Sequence, residues 1–235
     1  MGEHKIQLFP SVFVLCIVAV QILSLSGNCS AQASGSNSPR PETIEWTWAV
    51  RPAQPDARLP NVLLVGDSIS RNYFPEVTRE LTGIANVYLY SCSTSVGDPR
   101  LPRQLGEFAA MEAVSFRVVH FNNGMHGWSY SEDDYRKAFP TFLASIQSLT
   151  PGASLIWATT TPVKTDKPSE ETNERVDTRN AIAQRFITAA SIPTDDQHAL
   201  MMKHLDSFQD NVHFNIAGAN IQGEQAAKFI QSKLE

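Results

Sequence analysis

The stretch Asn61-Val62-Leu63-Leu64-Val65-Gly66-Asp67-Ser68 decides how the rest of the chain is read. Four apolar residues follow one another without polar alternation and then stop at a glycine. Continuous rather than alternating hydrophobicity marks a strand covered on both faces, as in a parallel sheet between layers of helices. Three more short runs have the same character: Val87-Tyr88-Leu89-Tyr90, Val118-Val119-His120-Phe121 and Leu155-Ile156-Trp157-Ala158. Helical periodicity lies between and after them, roughly over residues 74–81, 104–113, 130–148 and 170–190, with a closing helix over 217–234. A weaker strand fits residues 192–194. In the 170–190 segment Ala183, Phe186, Ile187 and Ala190 form one apolar stripe, while Glu170, Glu171, Glu174 and Arg175 stand at its wet start. Strand alternating with helix predicts an α/β chain folded as a three-layer α/β/α sandwich on a parallel sheet. No internal repeat is present.

Composition narrows the possibilities. The chain has 235 residues, 42% of them hydrophobic, a formal charge of −5 and three cysteines. That suits one globular domain with a substantial core and excludes a disulfide-dense mini-protein. The acidic balance, with no clustered basic face, argues against nucleic acid as a partner.

The N-terminus reads as a targeting segment. An apolar run over residues 9–25 leads to Ala31-Gln32-Ala33, the pattern of a signal peptide over residues 1–33. Cleavage implies a secreted or periplasmic protein with no stable membrane insertion; left uncleaved, the run is close to the minimum that spans a bilayer and would act as an anchor. Cys16 and Cys29 leave with the signal. The remaining Cys92 reads as a small buried hydrophobe rather than a reactive thiol. Residues 34–60 are rich in Ser, Asn, Gly and Pro, with Pro39, Pro41, Pro52, Pro55 and Pro60 opposing helix and central strand. They read as a leader or strap in which Trp46 and Trp48 pack on the domain that fills residues 61–235.

In a parallel α/β sheet, ligands bind beyond the C-terminal ends of the strands. Ser68 follows the first strand there. A serine hydroxyl becomes a nucleophile only when a base takes its proton, which calls for a histidine itself oriented by a carboxylate. Asp210 and His213, three residues apart just before the closing helix, have that spacing, and Asn215 is placed to cap the helix and hold the turn. Ser68 alone would read as a helix cap. Its pairing with the Asp210/His213 block is what points to catalysis. His120, inside an apolar strand, reads as a satisfied core residue; no histidine pair has metal-ligand spacing, and Asp67 reads as a brace for the Ser68 loop.

Gly66-Asp67-Ser68 and Asp210-Asn211-Val212-His213 resemble the nucleophile and final blocks of the SGNH, or GDSL-like, hydrolases, and the resemblance runs over most of residues 61–234. It implies a flavodoxin-like sandwich, Ser68 as nucleophile, His213 as general base and acid, Asp210 as its partner, and neither metal nor cofactor. It also implies an oxyanion hole built from the Ser68 N–H, a glycine N–H that best fits Gly97, and an asparagine amide. The third block departs from the usual Gly-x-Asn-Asp. Laid on without a gap, the alignment puts His126 where the asparagine belongs; Asn122 or Asn123, just upstream, is the other source of a donor. The expected activity is an exported serine esterase acting on a short-chain ester such as acetyl, carried by a small or polymeric substrate such as an acetylated glycan. The alternatives are an O-acyltransferase using the same triad and a catalytically silent binding module.

Overall fold

The computed structural model describes residues 1–2 and 38–235. Apart from its first two residues, the expected signal segment lies outside the described residues, as does the start of the leader. The elements run β1 (Thr47–Val50), β2 (Asn61–Gly66), α1 (Ser68–Glu80), β3 (Asn86–Cys92), α2 (Leu101–Glu112), β4 (Val118–Phe121), α3 (Glu132–Leu149), β5 (Ser154–Ala158), α4 (Asn173–Ala189), β6 (Thr194–Asp195), α5 (Gln197–Met201), a 3-10 turn (Leu205–Ser207) and α6 (Ile216–Gln231).

The six strands form one sheet in the order β1-β3-β2-β4-β5-β6. Strands β2 to β6 pair in parallel, and β1 lies antiparallel along β3. The four apolar runs are four of these strands, and both of their faces are used. In β2, Leu63 and Val65 join a cluster with α2, α3 and α4, whereas Val62 and Leu64 join one with α1 and α6. The fold is therefore the three-layer α/β/α sandwich that the alternation implies.

Two corrections matter for the site. The sheet is not wholly parallel, because residues 47–50 of the leader pair with β3 from Thr47↔Cys92 to Val50↔Leu89. Prolines on either side of this short segment leave it room as an edge strand, where one row of backbone groups needs no partner. The first helix begins at Ser68 rather than near residue 74. Pro75 lies within it; a proline is at ease in a first turn, which draws a sequence-based start toward it, but here Asp67 supplies the cap nearly two turns earlier. Among the described residues, no helix is long and apolar enough to cross a membrane.

Candidate active site

The turn from β2 into α1 presents Ser68. Gly66 is required where it stands, since a Cβ there would sit 2.1 Å from Ser70 Oγ. Asp67 is the helix N-cap, its carboxylate accepting the Ile69 N–H at 3.0 Å and its carbonyl accepting the Ser91 hydroxyl at 2.7 Å. Because Asp67 does the capping, the Ser68 hydroxyl, at the first helical position, is left for another partner. That partner is His213, whose Nε2 lies 2.7 Å from Ser68 Oγ, while its Nδ1 lies 2.8 Å from Asp210 Oδ2.

The loop carrying the last two residues is held at several points. Asp210 Oδ1 accepts the Val212 and His213 N–H groups at 2.9 and 2.8 Å, the self-closing turn favoured by Asp. Burial would raise the Asp210 pKa, but these backbone donors and the imidazole outweigh it and hold the carboxyl below its usual range. Asn215 caps α6 by accepting the Gly218 N–H at 3.1 Å. Two contacts that sequence reasoning missed fix the loop to the rest of the site. Asn72 of α1 donates to the Phe214 carbonyl at 2.7 Å, and Asn211 bonds both Thr165 and Glu171 across the segment that follows β5.

The four candidates for the oxyanion hole separate clearly. Gly97 stands against the Tyr130 ring, 2.6 Å from where its Cβ would be, so packing alone demands glycine there. The Asn122 amide is already committed, donating to the Ala158 carbonyl at 2.6 Å and to Thr160 Oγ1 at 3.2 Å. It lines a small cavity shared with Ser70, Tyr73 and Gln222. Asn123, its neighbour, faces the loop after β3, accepting the Val96 N–H at 3.2 Å and donating to the Thr94 carbonyl at 2.9 Å. A single acceptor leaves an amide with a second hydrogen to give.

His126 is partly buried beneath the leader, with Nδ1 3.0 Å from both oxygens of Glu42 and a shielded Nε2 lacking a partner among the described residues. Burial opposes protonation, but the Glu42 hydrogen bond and the charges of Asp67, Glu42 and Glu45 outweigh it and raise the His126 pKa. The loop itself hangs on Arg179 of α4, a buried guanidinium that donates to the carbonyls of Gly124, His126 and Gly127 at 2.8–3.0 Å. A basic residue in line with the buried Val176, Ala183 and Ile187 was the available signal for it. Glu42 had none, lying 84 positions from its partner. His120 is paired in the core with Asp195 at 2.8 Å, and burial pushes the Cys92 thiol up to about 12.

Comparison with known structures gives the fold class. A member of the lipolytic protein G-D-S-L family from Veillonella parvula superposes with a TM-score of 0.58 at 18% identity, over 73% of this chain and 98% of that one. The acetyl xylan esterase AlAXEase superposes with a TM-score of 0.59 at 15% identity, over 72% of this chain and 99% of that one. The C-terminal catalytic domain of peptidoglycan O-acetyltransferase A from Streptococcus pneumoniae superposes with a TM-score of 0.54 at 19% identity, over 74% of this chain and 94% of that one. No protein-family model and no curated protein matches the sequence. The chain has the SGNH, or G-D-S-L, hydrolase fold.

Proposed function

We propose that the chain is an exported serine esterase that removes a short acyl group, acetyl foremost, from a carbohydrate ester. The observation that carries this reading is the unbroken line from Ser68 Oγ through the His213 imidazole to Asp210, with contacts of 2.7 and 2.8 Å. As Ser68 Oγ attacks the ester carbonyl, His213 Nε2 takes its proton and the carbonyl electron pair moves onto oxygen. Collapse of that oxyanion expels the alcohol, which leaves with the proton from His213. Water, deprotonated by the same nitrogen, then attacks the acyl-enzyme and restores Ser68. Asp210 keeps Nδ1 protonated and stabilises the imidazolium.

The oxyanion is assigned to the N–H groups of Ser68 and Gly97 and to a donor from the loop after β4. Asn123 is preferred over Asn122 because its amide keeps a hydrogen uncommitted, and His126 remains the second candidate through its unpartnered Nε2. The acetyl xylan esterase among the similar folds, together with a site in which Asp210 is half exposed, supports a small acyl group on a bulky carrier. The O-acetyltransferase domain supports a second reading, in which a sugar hydroxyl replaces water in the second step. Export rests on the signal-like N-terminus.

The test is a panel running from p-nitrophenyl acetate to long-chain esters and acetylated xylan, assayed with wild type and Ser68→Ala. Turnover of short esters that disappears in the variant is the expected result. Activity confined to long-chain esters would overturn the substrate assignment, and equal rates in the two proteins would overturn the nucleophile. Diversion of acyl product by added sugar acceptor marks the transferase.

A further inference from the structure

We propose that Trp46, Arg71 and Trp48 form a sugar-binding subsite beside Ser68, with the exposed face of Trp48 taking a pyranose ring and Arg71 donating to its hydroxyls. The inference rests on the esterase reading only for the identity of the neighbouring reaction. Trp46 and Trp48 are two residues apart where the leader enters β1, so their side chains leave the strand on the same side. The Arg71 guanidinium lies 5.0 Å from the Trp46 ring centroid and 4.7 Å from that of Trp48. Arg71 follows Ser68 by three positions in α1, which puts the two side chains on neighbouring parts of one helix face. The other edge of Trp46 meets His126, with ring centroids 5.6 Å apart. The cluster therefore runs from the Ser68 helix to the loop after β4, along the rim of the candidate site.

Two properties distinguish it from a strap that merely covers the sheet edge. Trp48 is 50% exposed, although it is the largest side-chain type. Its backbone is nevertheless fixed, in register with Ser91 of β3, so the ring is presented on a rigid support. Arg71 has no acidic partner among the described residues, whereas Arg100 nearby is paired with Asp98 and Glu45, and Arg40 with Asp134. A guanidinium stacked on aromatic faces keeps its N–H groups pointing outward in the ring plane. A flat apolar face next to a fan of uncommitted donors matches a pyranose, which offers axial C–H groups on one face and hydroxyls around its edge. It matches a long acyl chain poorly, since such a chain would leave those donors unpaired.

The experiment titrates the protein with xylohexaose and, separately, with chitotetraose, followed by tryptophan fluorescence and calorimetry. Neither probe carries an O-acyl ester, so the readout does not depend on turnover. Binding of either probe by wild type, weakened roughly tenfold in Trp48→Ala and in Arg71→Gln but less in Trp48→Phe, is the expected result, and tenfold corresponds to about 1.4 kcal/mol. Melting curves of the variants confirm that they are folded. Absence of binding by wild type, or binding unchanged in Trp48→Ala, overturns the subsite. Sugar binding without any ester hydrolysis keeps the subsite and sinks the esterase reading; hydrolysis of p-nitrophenyl acetate without sugar binding does the reverse.

Discussion

Glu42 holds His126 through both carboxylate oxygens, each 3.0 Å from Nδ1, and takes the Gly127 N–H at 2.9 Å as well. A residue of the Pro-rich leader thus completes the loop that follows β4. The ion pair has a defined pH window. Burial raises the Glu42 pKa, but the His126 hydrogen bond and charge and the Gly127 N–H prevail and hold it below 4.5, so its contribution is present above 4.5 and is lost as pH falls through the depressed value. The His126 pKa is raised above 6.5, so its contribution is present below 6.5 and is lost as pH rises through the raised value. The stability difference between wild type and Glu42→Gln should therefore peak between pH 4.5 and 6.5, at about 1–2 kcal/mol, and shrink on both sides. Thermal melts from pH 3.5 to 9 measure it, and a difference independent of pH would show that the two groups do not form an ion pair.

The oxyanion assignment separates three neighbours. Loss of a donor aimed at developing charge costs roughly 10²–10³ in kcat. Asn123→Ala is expected to fall in that range with KM little changed. Asn122→Ala removes the partner of the Ala158 carbonyl and should show instead in stability, by about 1–3 kcal/mol. If His126 is the donor, His126→Ala takes the kinetic loss and Asn123→Ala does not. Equal rates in all three variants would place the third donor elsewhere.

Which of these features could be read from the chain follows from how far each depends on neighbours in sequence. The four apolar runs are strands because burial on both faces leaves a local signature, and Asp210 and His213 share a four-residue turn. Glu42 and His126 meet only because β1 pairs along the edge of β3, a placement that the prolines around it obscured. Asn122 and Asn123 look equivalent as letters. The pleat sends one toward Ala158 and the other toward Thr94, and which of the two faces the site depends on the packing around the strand end.

Asp210→Asn tests the orienting carboxylate. The amide can offer its NH₂ to Nδ1 and leave the proton on the nitrogen facing Ser68, the wrong tautomer for a base. A loss of roughly 10⁴ in kcat is expected, as for a comparable triad. The carboxyl of the wild type is held below 3.8, so its ionisation should not limit activity until pH falls under that value. An Asn variant within tenfold of wild type would mean that Asp210 does not orient the base.

Arg179 is the remaining support whose removal should separate folding from chemistry. Its guanidinium is buried, lies 4.1 Å from the Trp128 ring centroid and holds three carbonyls of the loop that carries His126. Burial lowers its pKa to about 10, with Glu132 and other neighbours modifying the effect, so it stays charged at neutral pH. Arg179→Leu has comparable bulk but leaves those carbonyls without donors, at a cost of about 2–4 kcal/mol in stability. Arg179→Lys restores the charge yet cannot reach three acceptors from one ammonium in the same plane, so it should recover only part of the melting temperature. Because the loop carries His126, a candidate oxyanion donor, kcat for p-nitrophenyl acetate should fall in both variants at temperatures where both remain folded. Full activity in folded Arg179→Leu would show that the loop keeps its shape without the guanidinium.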